Sequence, residues 1–205
     1  LCHGIRLIVC GFTRFSSWLP LHLARWFGKL FGQVIWYAKR GPARITRLNI
    51  ERCFGPGHDD LVRNSLIETG KLVFEVGAAR CWPAARVLAT IVSVDGRELI
   101  DQAVVRGQSV VVLAPHVGNW EILGLYLGHE YGVTSLYEPL RNAAVNDLTH
   151  RFRERTGASL VPTTHRGIRA VYRELERSGV IALLPDQVGA RRSGVYAPFY
   201  GCPAL

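Results

Sequence analysis

Val110 to Gly124 reads VVVLAPHVGNWEILG. An apolar run breaks at Ala114-Pro115, delivers His116 to a loop, and gives way to a helix-forming stretch from Trp120. The run has the composition of a strand in a parallel sheet, buried on both faces. Outward from it the chain alternates. Strand Val110–Ala114 is predicted to lead to a helix over Trp120–Tyr131, and strand Thr134–Tyr137 to a helix over Ala144–Thr156. Strand Ser159–Val161 leads to a helix over Arg166–Arg177, and strand Val180–Leu184 follows. Gly107, Gly132, Gly157 and Gly179 each part a helix from the next strand, where a left-handed cap is expected. Such alternation predicts an α/β fold, mainly parallel sheet flanked by helices. Parallel strands bring His116, Glu138 and Asp186 to one sheet edge, where such folds carry their chemistry.

His116 and Glu121 are the first candidates for that chemistry. On an ideal helix, residues five apart lie about 140° apart, so the two cooperate only if His116 precedes the helix and Glu121 sits in its first turn. Gly118 supplies the tight turn and Asn119 the N-cap. A carboxylate bonded to one imidazole nitrogen leaves the other free to take a proton. The usual protein nucleophiles are missing: there is no G-x-S-x-G elbow, and Cys2, Cys10, Cys53, Cys81 and Cys202 sit in no catalytic context. A substrate hydroxyl would then fill the role, as in direct acyl transfer.

The chain has 205 residues, 48% of them hydrophobic, and a net charge of +9. Arg6, Arg14, Arg25, Lys29, Lys39, Arg40, Arg44, Arg47 and Arg52 face only Glu51 in the first 52 residues. A basic segment suits nucleic acid or anionic lipid, and the interleaved aromatic and aliphatic residues favour lipid. From Pro20 onward Leu23, Phe27, Leu30, Phe31, Val34 and Ile35 recur at helical spacing, with His22, Arg25, Lys29 and Gln33 opposite and Trp18, Trp26 and Trp36 near the boundaries. This is a cationic amphipathic helix of the kind that lies in a membrane interface; an ordinary helix packed on the domain is the alternative. Its uncharged stretches fall short of the ~20 residues that span a bilayer. Two regions result: 1–40, a membrane-associated amphipathic segment, and 41–205, an α/β domain expected to be incomplete at its carboxyl end. The absence of methionine points to a missing amino terminus or an alternative start. No C-x-x-C occurs, so neither a zinc site nor a disulfide framework is expected. No motif suggests nucleic-acid binding.

Between these regions Pro42–Cys53 is predicted as a helix closed by Gly55-Pro56-Gly57. A second helix runs from Asp59 or Asp60 to about Arg80, with Leu61, Ile67, Val73 and Val76 buried, and stops at Trp82-Pro83. Ile91–Val94 reads as a strand and Arg97–Arg106 as a helix. Arg166, Arg169, Arg173 and Arg177 form one basic helix face, diluted by Glu174 and Glu176. Gly189 to Gly194 is a basic loop in which Arg191 and Arg192 can grip a phosphate or carboxylate. Val195 to Tyr200 suits core packing or an acyl-chain channel.

Several segments together resemble the late acyltransferases of lipid A biosynthesis, the lauroyl/myristoyl transferase family. RLNIERCF at 47–54 is similar to the family's RxNLExCFP block, although Gly55 intervenes before Pro56. GKLVFE at 70–75, HVGNWE at 116–121 (the H-x4-D/E motif), YEPLRN at 137–142, Arg153 followed by Gly157, LPDQ at 184–187 and PFYG at 198–201 with Pro203-Ala204 follow in order. The resemblance implies an acyltransferase moving a fatty acyl group from acyl carrier protein to a hydroxyl of a lipid A precursor. It places the reaction at the cytoplasmic face of the inner membrane, with the membrane surface, the carrier and the glycolipid acceptor as partners. It implies His116 as general base and Glu121 as its orienting partner, with Arg153 and Asp186 lining the site; Gln187, Asn119 and Asn142 are the further substrate-binding candidates in the matching blocks. No cofactor is expected, the acyl thioester being a co-substrate. Other readings are an acyl-CoA-dependent enzyme acting on another glycolipid such as a phosphatidylinositol mannoside, a hydrolase, and a non-catalytic glycolipid- or carrier-binding module.

Overall fold

The computed structural model describes residues 2–140, 142–186 and 195–204. Their contacts divide into two compact units, residues up to Arg14 with Ala79–Pro185, and Phe15–Ala78 with Asp186 onward.

The first unit is built on a four-stranded parallel sheet of β1 (Val110–Leu113), β2 (Thr134–Tyr137), β3 (Ser159–Pro162) and β4 (Val180–Leu183), in the order β1-β4-β2-β3. Helices α7 (Trp120–Tyr131), α8 (Ala143–Glu154) and α9 (His165–Glu176) connect the strands, and the predicted α/β alternation is the one observed. β4 enters between β1 and β2, and its Val180, Ile181 and Ala182 are buried. Tyr126, Leu127 and Val133 complete that core, with Leu88, Ile91 and Ile100 packed against it. β1 departs from the expectation of a fully buried run. It stands at the sheet margin and alternates, Val111 and Leu113 exposed and Val112 half-buried.

Two further expectations are corrected. Ile91–Val94 is not a strand: Ile91 closes a turn after the short helix α5 (Ala84–Leu88), its amide donating to Leu88 O at 3.0 Å, and Val92 is open to solvent. The connection before β4 takes its left-handed residue at Ser178 (φ 59) rather than Gly179; at Gly179 a Cβ would meet the Glu174 side chain at 2.6 Å, so that side chain would have to shift. α6 (Arg97–Val105) follows the Gly96 turn as expected.

In the second unit, α2 (Leu21–Ala38) and α3 (Pro42–Phe54) lie with most of α4 (Asp59–Cys81); α1 (Cys2–Trp18) precedes them in the chain. The α4 core is Val62 and Leu66 together with Ala43, while Leu61, expected inside, is exposed. α2 turns its small residues inward: Ala24, Gly28 and Gly32 are buried. A Cβ on Gly28 would fall 2.5 Å from Lys71 Cα and 2.6 Å from Gly70 O, so α2 and α4 cross backbone to backbone. Its large apolar residues, Leu23, Trp26, Phe27, Leu30, Phe31 and Val34, are exposed. At the carboxyl end β5 (Ala197–Phe199) and β6 (Cys202–Ala204) form an antiparallel hairpin. Its two turn residues, Tyr200 (φ 48) and Gly201 (φ 75), have the positive φ values that hairpin turns prefer. The core packing expected for Val195 to Tyr200 is overturned: Val195, Tyr196, Phe199 and Tyr200 are all exposed, because two short paired strands bury little without a covering element.

Candidate active site

His116 stands three residues beyond β1. The ladder runs on one residue past the strand, Ala114 N donating to Leu183 O at 2.8 Å, and Val117 N donates to Pro115 O at 2.7 Å. Gly118 then takes φ 59, and the Asn119 side chain accepts from Ile122 N at 3.4 Å to cap α7. The turn and cap expected from the sequence are therefore present. The His116 ring is half-buried and meets Trp120 edge-on at 4.7 Å.

Glu121 lies in the first turn of α7, only 6% exposed. Arg153, from the last turn of α8, grips it with both arms: Nε donates to Oε2 at 2.9 Å and Nη2 to Oε1 at 2.8 Å. Arg80, from the last turn of α4, adds Nη2 to Oε1 at 3.5 Å. Burial raises the Glu121 carboxyl, but Arg153, through hydrogen bonds and charge, and then Arg80 outweigh it and hold it below the ordinary value. The helix dipole at the start of α7 acts in the same direction. Glu121 therefore remains a carboxylate although it is inside.

Arg155 completes this polar core. Its guanidinium donates to Ala79 O at 2.6 Å, Trp82 O at 2.8 Å and Arg80 O at 3.3 Å, closing the carbonyl end of α4. Sequence reasoning placed Arg153 with the substrate, and the structure commits its guanidinium to Glu121. Arg80 was missed, since a basic residue in a last helical turn carries no sign of a partner 41 positions away. Arg155 was missed as well, its carbonyl partners lying on another element more than 70 residues away.

The remaining candidates are spread along the chain. Asn142 caps α8, accepting from Val145 N at 3.2 Å. Glu138 follows β2 and accepts from the Thr163 hydroxyl, which follows β3. Asp186 is exposed, in a turn just after β4, and belongs to the second unit. Gln187, Arg191 and Arg192 lie outside the described residues. Among the described residues no group of three or more His, Cys, Asp or Glu is placed to hold a metal ion.

A model of the bacterial lipid A biosynthesis acyltransferase family matches residues 2–205. The chain belongs to that family. Phosphatidylinositol mannoside acyltransferase of Mycobacterium tuberculosis is 27% identical over 178 residues, 82% of this chain and 56% of the relative. The protein of the same name from Mycolicibacterium smegmatis is 28% identical over 182 residues, 84% and 59%. Lipid A biosynthesis acyltransferase of Haemophilus influenzae is 26% identical over 185 residues, 84% and 56%. The chain thus spans between 56% and 59% of the length of these acyltransferases.

Proposed function

We propose that the protein is a membrane-associated O-acyltransferase that moves a fatty acyl group from a carrier thioester to a hydroxyl of a lipid A precursor. One observation carries this reading: in a chain of this family, His116 follows a parallel strand directly and is joined by a tight turn to a helix whose first turn buries an ionised Glu121. The acceptor hydroxyl gives its proton to His116 as its oxygen attacks the thioester carbonyl. The new carbon–oxygen bond forms, the carbon–sulfur bond breaks, and the proton returns from the imidazolium to the leaving thiolate. In this reading Glu121 is a positioning residue, which Arg153 and Arg80 fix and keep charged. Asp186, Gln187, Asn119 and Asn142 remain candidates for holding substrate.

Membrane association is supported by the exposed aromatic and aliphatic face of α2 and by Phe15 and Trp18 at the end of α1. With Arg25 and Lys29 on the same helix, α2 suits the interface of an anionic bilayer such as the cytoplasmic face of an inner membrane. No described helix is long and apolar enough to cross a membrane. The names of the mycobacterial relatives favour a second acceptor, a phosphatidylinositol mannoside; an acyl-CoA donor is the alternative that goes with this reading.

The test is one matrix of reactions. Acyl carrier protein or acyl-CoA is offered with each glycolipid or with neither, and products are resolved by mass. Acylated lipid A precursor from the carrier donor is expected. His116→Ala should cost ~10²–10⁴-fold in rate, and full activity in that variant would sink the mechanism. Free fatty acid alone would mean hydrolysis, and no turnover a binding role.

A further inference from the structure

The first turn of α7 carries two large side chains with different tasks. Neighbours on a helix lie about 100° apart, so Trp120 and Glu121 look in different directions. Glu121 turns inward, 6% exposed, and its two oxygens receive Arg153 at 2.9 and 2.8 Å and Arg80 at 3.5 Å. Trp120 is half-buried, and its ring meets the His116 ring at 4.7 Å with an interplanar angle of 64°. The residues between leave room for this contact. Val117 opens to solvent, 77% exposed. Gly118 has no side chain and bends the chain at φ 59, and Asn119 spends its amide oxygen on Ile122 N. The turn therefore folds the indole back onto the imidazole four residues before it.

We infer that Trp120 is the positioning residue for the His116 imidazole, and that Glu121 acts one step behind it by pinning the turn that carries the indole. The inference rests on the acyl-transfer reading and deepens it by assigning the contact that orients the base. A general base must meet the acceptor hydroxyl at hydrogen-bond distance, and an imidazole on a loop turns about its side-chain bonds unless packing holds it. Two rings set edge-on supply such a hold. The positive edge of one meets the negative face of the other, and the contact weakens as either ring rotates. The hold also needs a fixed partner. Trp120 has one in the turn that bears it: Asn119 caps α7, and Glu121, next in the chain, is gripped by arginines from α8 and α4. A carboxylate spent on two guanidinium groups is suited to anchoring a backbone, and an indole beside the imidazole is suited to aiming it.

The test uses the whole chain and reads ring and rate separately. Histidine side chains are followed by NMR, with the His116 signal assigned by its loss in His116→Gln. An indole this close displaces that signal by its ring current, so Trp120→Ala should move it while the other histidines hold their positions and report an intact fold. Where alanine unfolds the chain, Trp120→Leu fills the space without a ring and should move the signal alike. In acyl transfer Trp120→Ala should lose up to ~10²-fold in kcat with KM unchanged, and Trp120→Phe, which keeps a ring, should retain most of the rate. Adding Glu121→Gln to Trp120→Ala should cost less than the product of the two single losses, since both act through one contact. A His116 signal unmoved by loss of the indole would overturn the inference, as would a rise in KM alone or a double variant that shows the full product. A parent chain that transfers no acyl group would overturn the acyl-transfer reading and this inference together, whereas full kcat in Trp120→Ala would overturn this inference alone.

Discussion

The two units treat polarity in opposite ways. The first buries a charge: Glu121 is inside, held by Arg153 and Arg80. The second exposes oil: Trp26 and Val34 of α2 lie open to solvent while glycines take the packed side, and Phe27 and Phe31, at the margin, meet the Phe74 ring of α4. Each inversion costs stability that a plain globular domain would keep, and each falls where the proposed reaction needs something, a fixed carboxylate in one unit and a lipid-facing surface in the other. A deviation from inside-apolar packing is here a better guide to function than any apolar core residue.

The buried charge gives the largest expected effect. Glu121→Ala leaves Arg153 facing a void and should cost about 3–5 kcal/mol, the usual result of breaking a buried pair from one side, read by chemical denaturation. A loss below 1 kcal/mol would mean that the clamp is solvated in practice. The same pair sets a pH dependence. Because the folded carboxyl titrates below its ordinary value, its contribution is present above the unfolded pKa and is lost as pH falls through the depressed folded pKa. Acid unfolding should therefore be steeper in the parent than in Glu121→Gln over that acid range. Parallel curves for the two would break the assignment.

In the exposed unit the sensitive positions are the small ones. Gly28→Ala puts a methyl group against the backbone of Gly70 and Lys71, and α2 must move away from α4. Overpacking of this kind costs about 1–3 kcal/mol. A variant as stable as the parent would show that the crossing relaxes freely. Next in size is Asn142→Ala, which removes the cap of α8 and should cost about 1 kcal/mol. A much larger loss in activity than in stability would return Asn142 to the substrate site.

These differences track what a sequence encodes locally. The βα alternation from Val110 onward was legible because each strand and helix carries its own period and its own stop. The Gly118 turn and the Asn119 cap were legible because they act within four residues. Arg80 was not, since its partner lies on another helix 41 residues away. The packing side of α2 was also hidden. Apolar spacing marks a stripe but does not say which side of the helix packs on protein, and only the close approach of Gly28 and Gly32 to α4 shows that. Ile91–Val94 misled for a related reason: β-branched residues predict a strand, but no neighbouring strand was there to pair with them.

The smallest expected change in stability is also the one that tests the comparison most directly. Trp26→Ser together with Val34→Ser alters residues that are 53% and 65% exposed. If the stripe met protein, burying it would supply about 1.5–3 kcal/mol per side chain, and the double variant would be badly destabilised. If it meets lipid, the loss should stay within about 0.5 kcal/mol per site, as for ordinary surface positions. Partition onto phosphatidylglycerol vesicles should then fall steeply, because interfacial binding scales with the apolar area that inserts. Gly28→Ala should show the opposite profile, losing stability while leaving the outward face in place. Crossed results, with the serine pair unfolding the chain and the alanine harmless, would mean that α2 is packed by its large residues after all. The exposed and buried units would then no longer differ in kind.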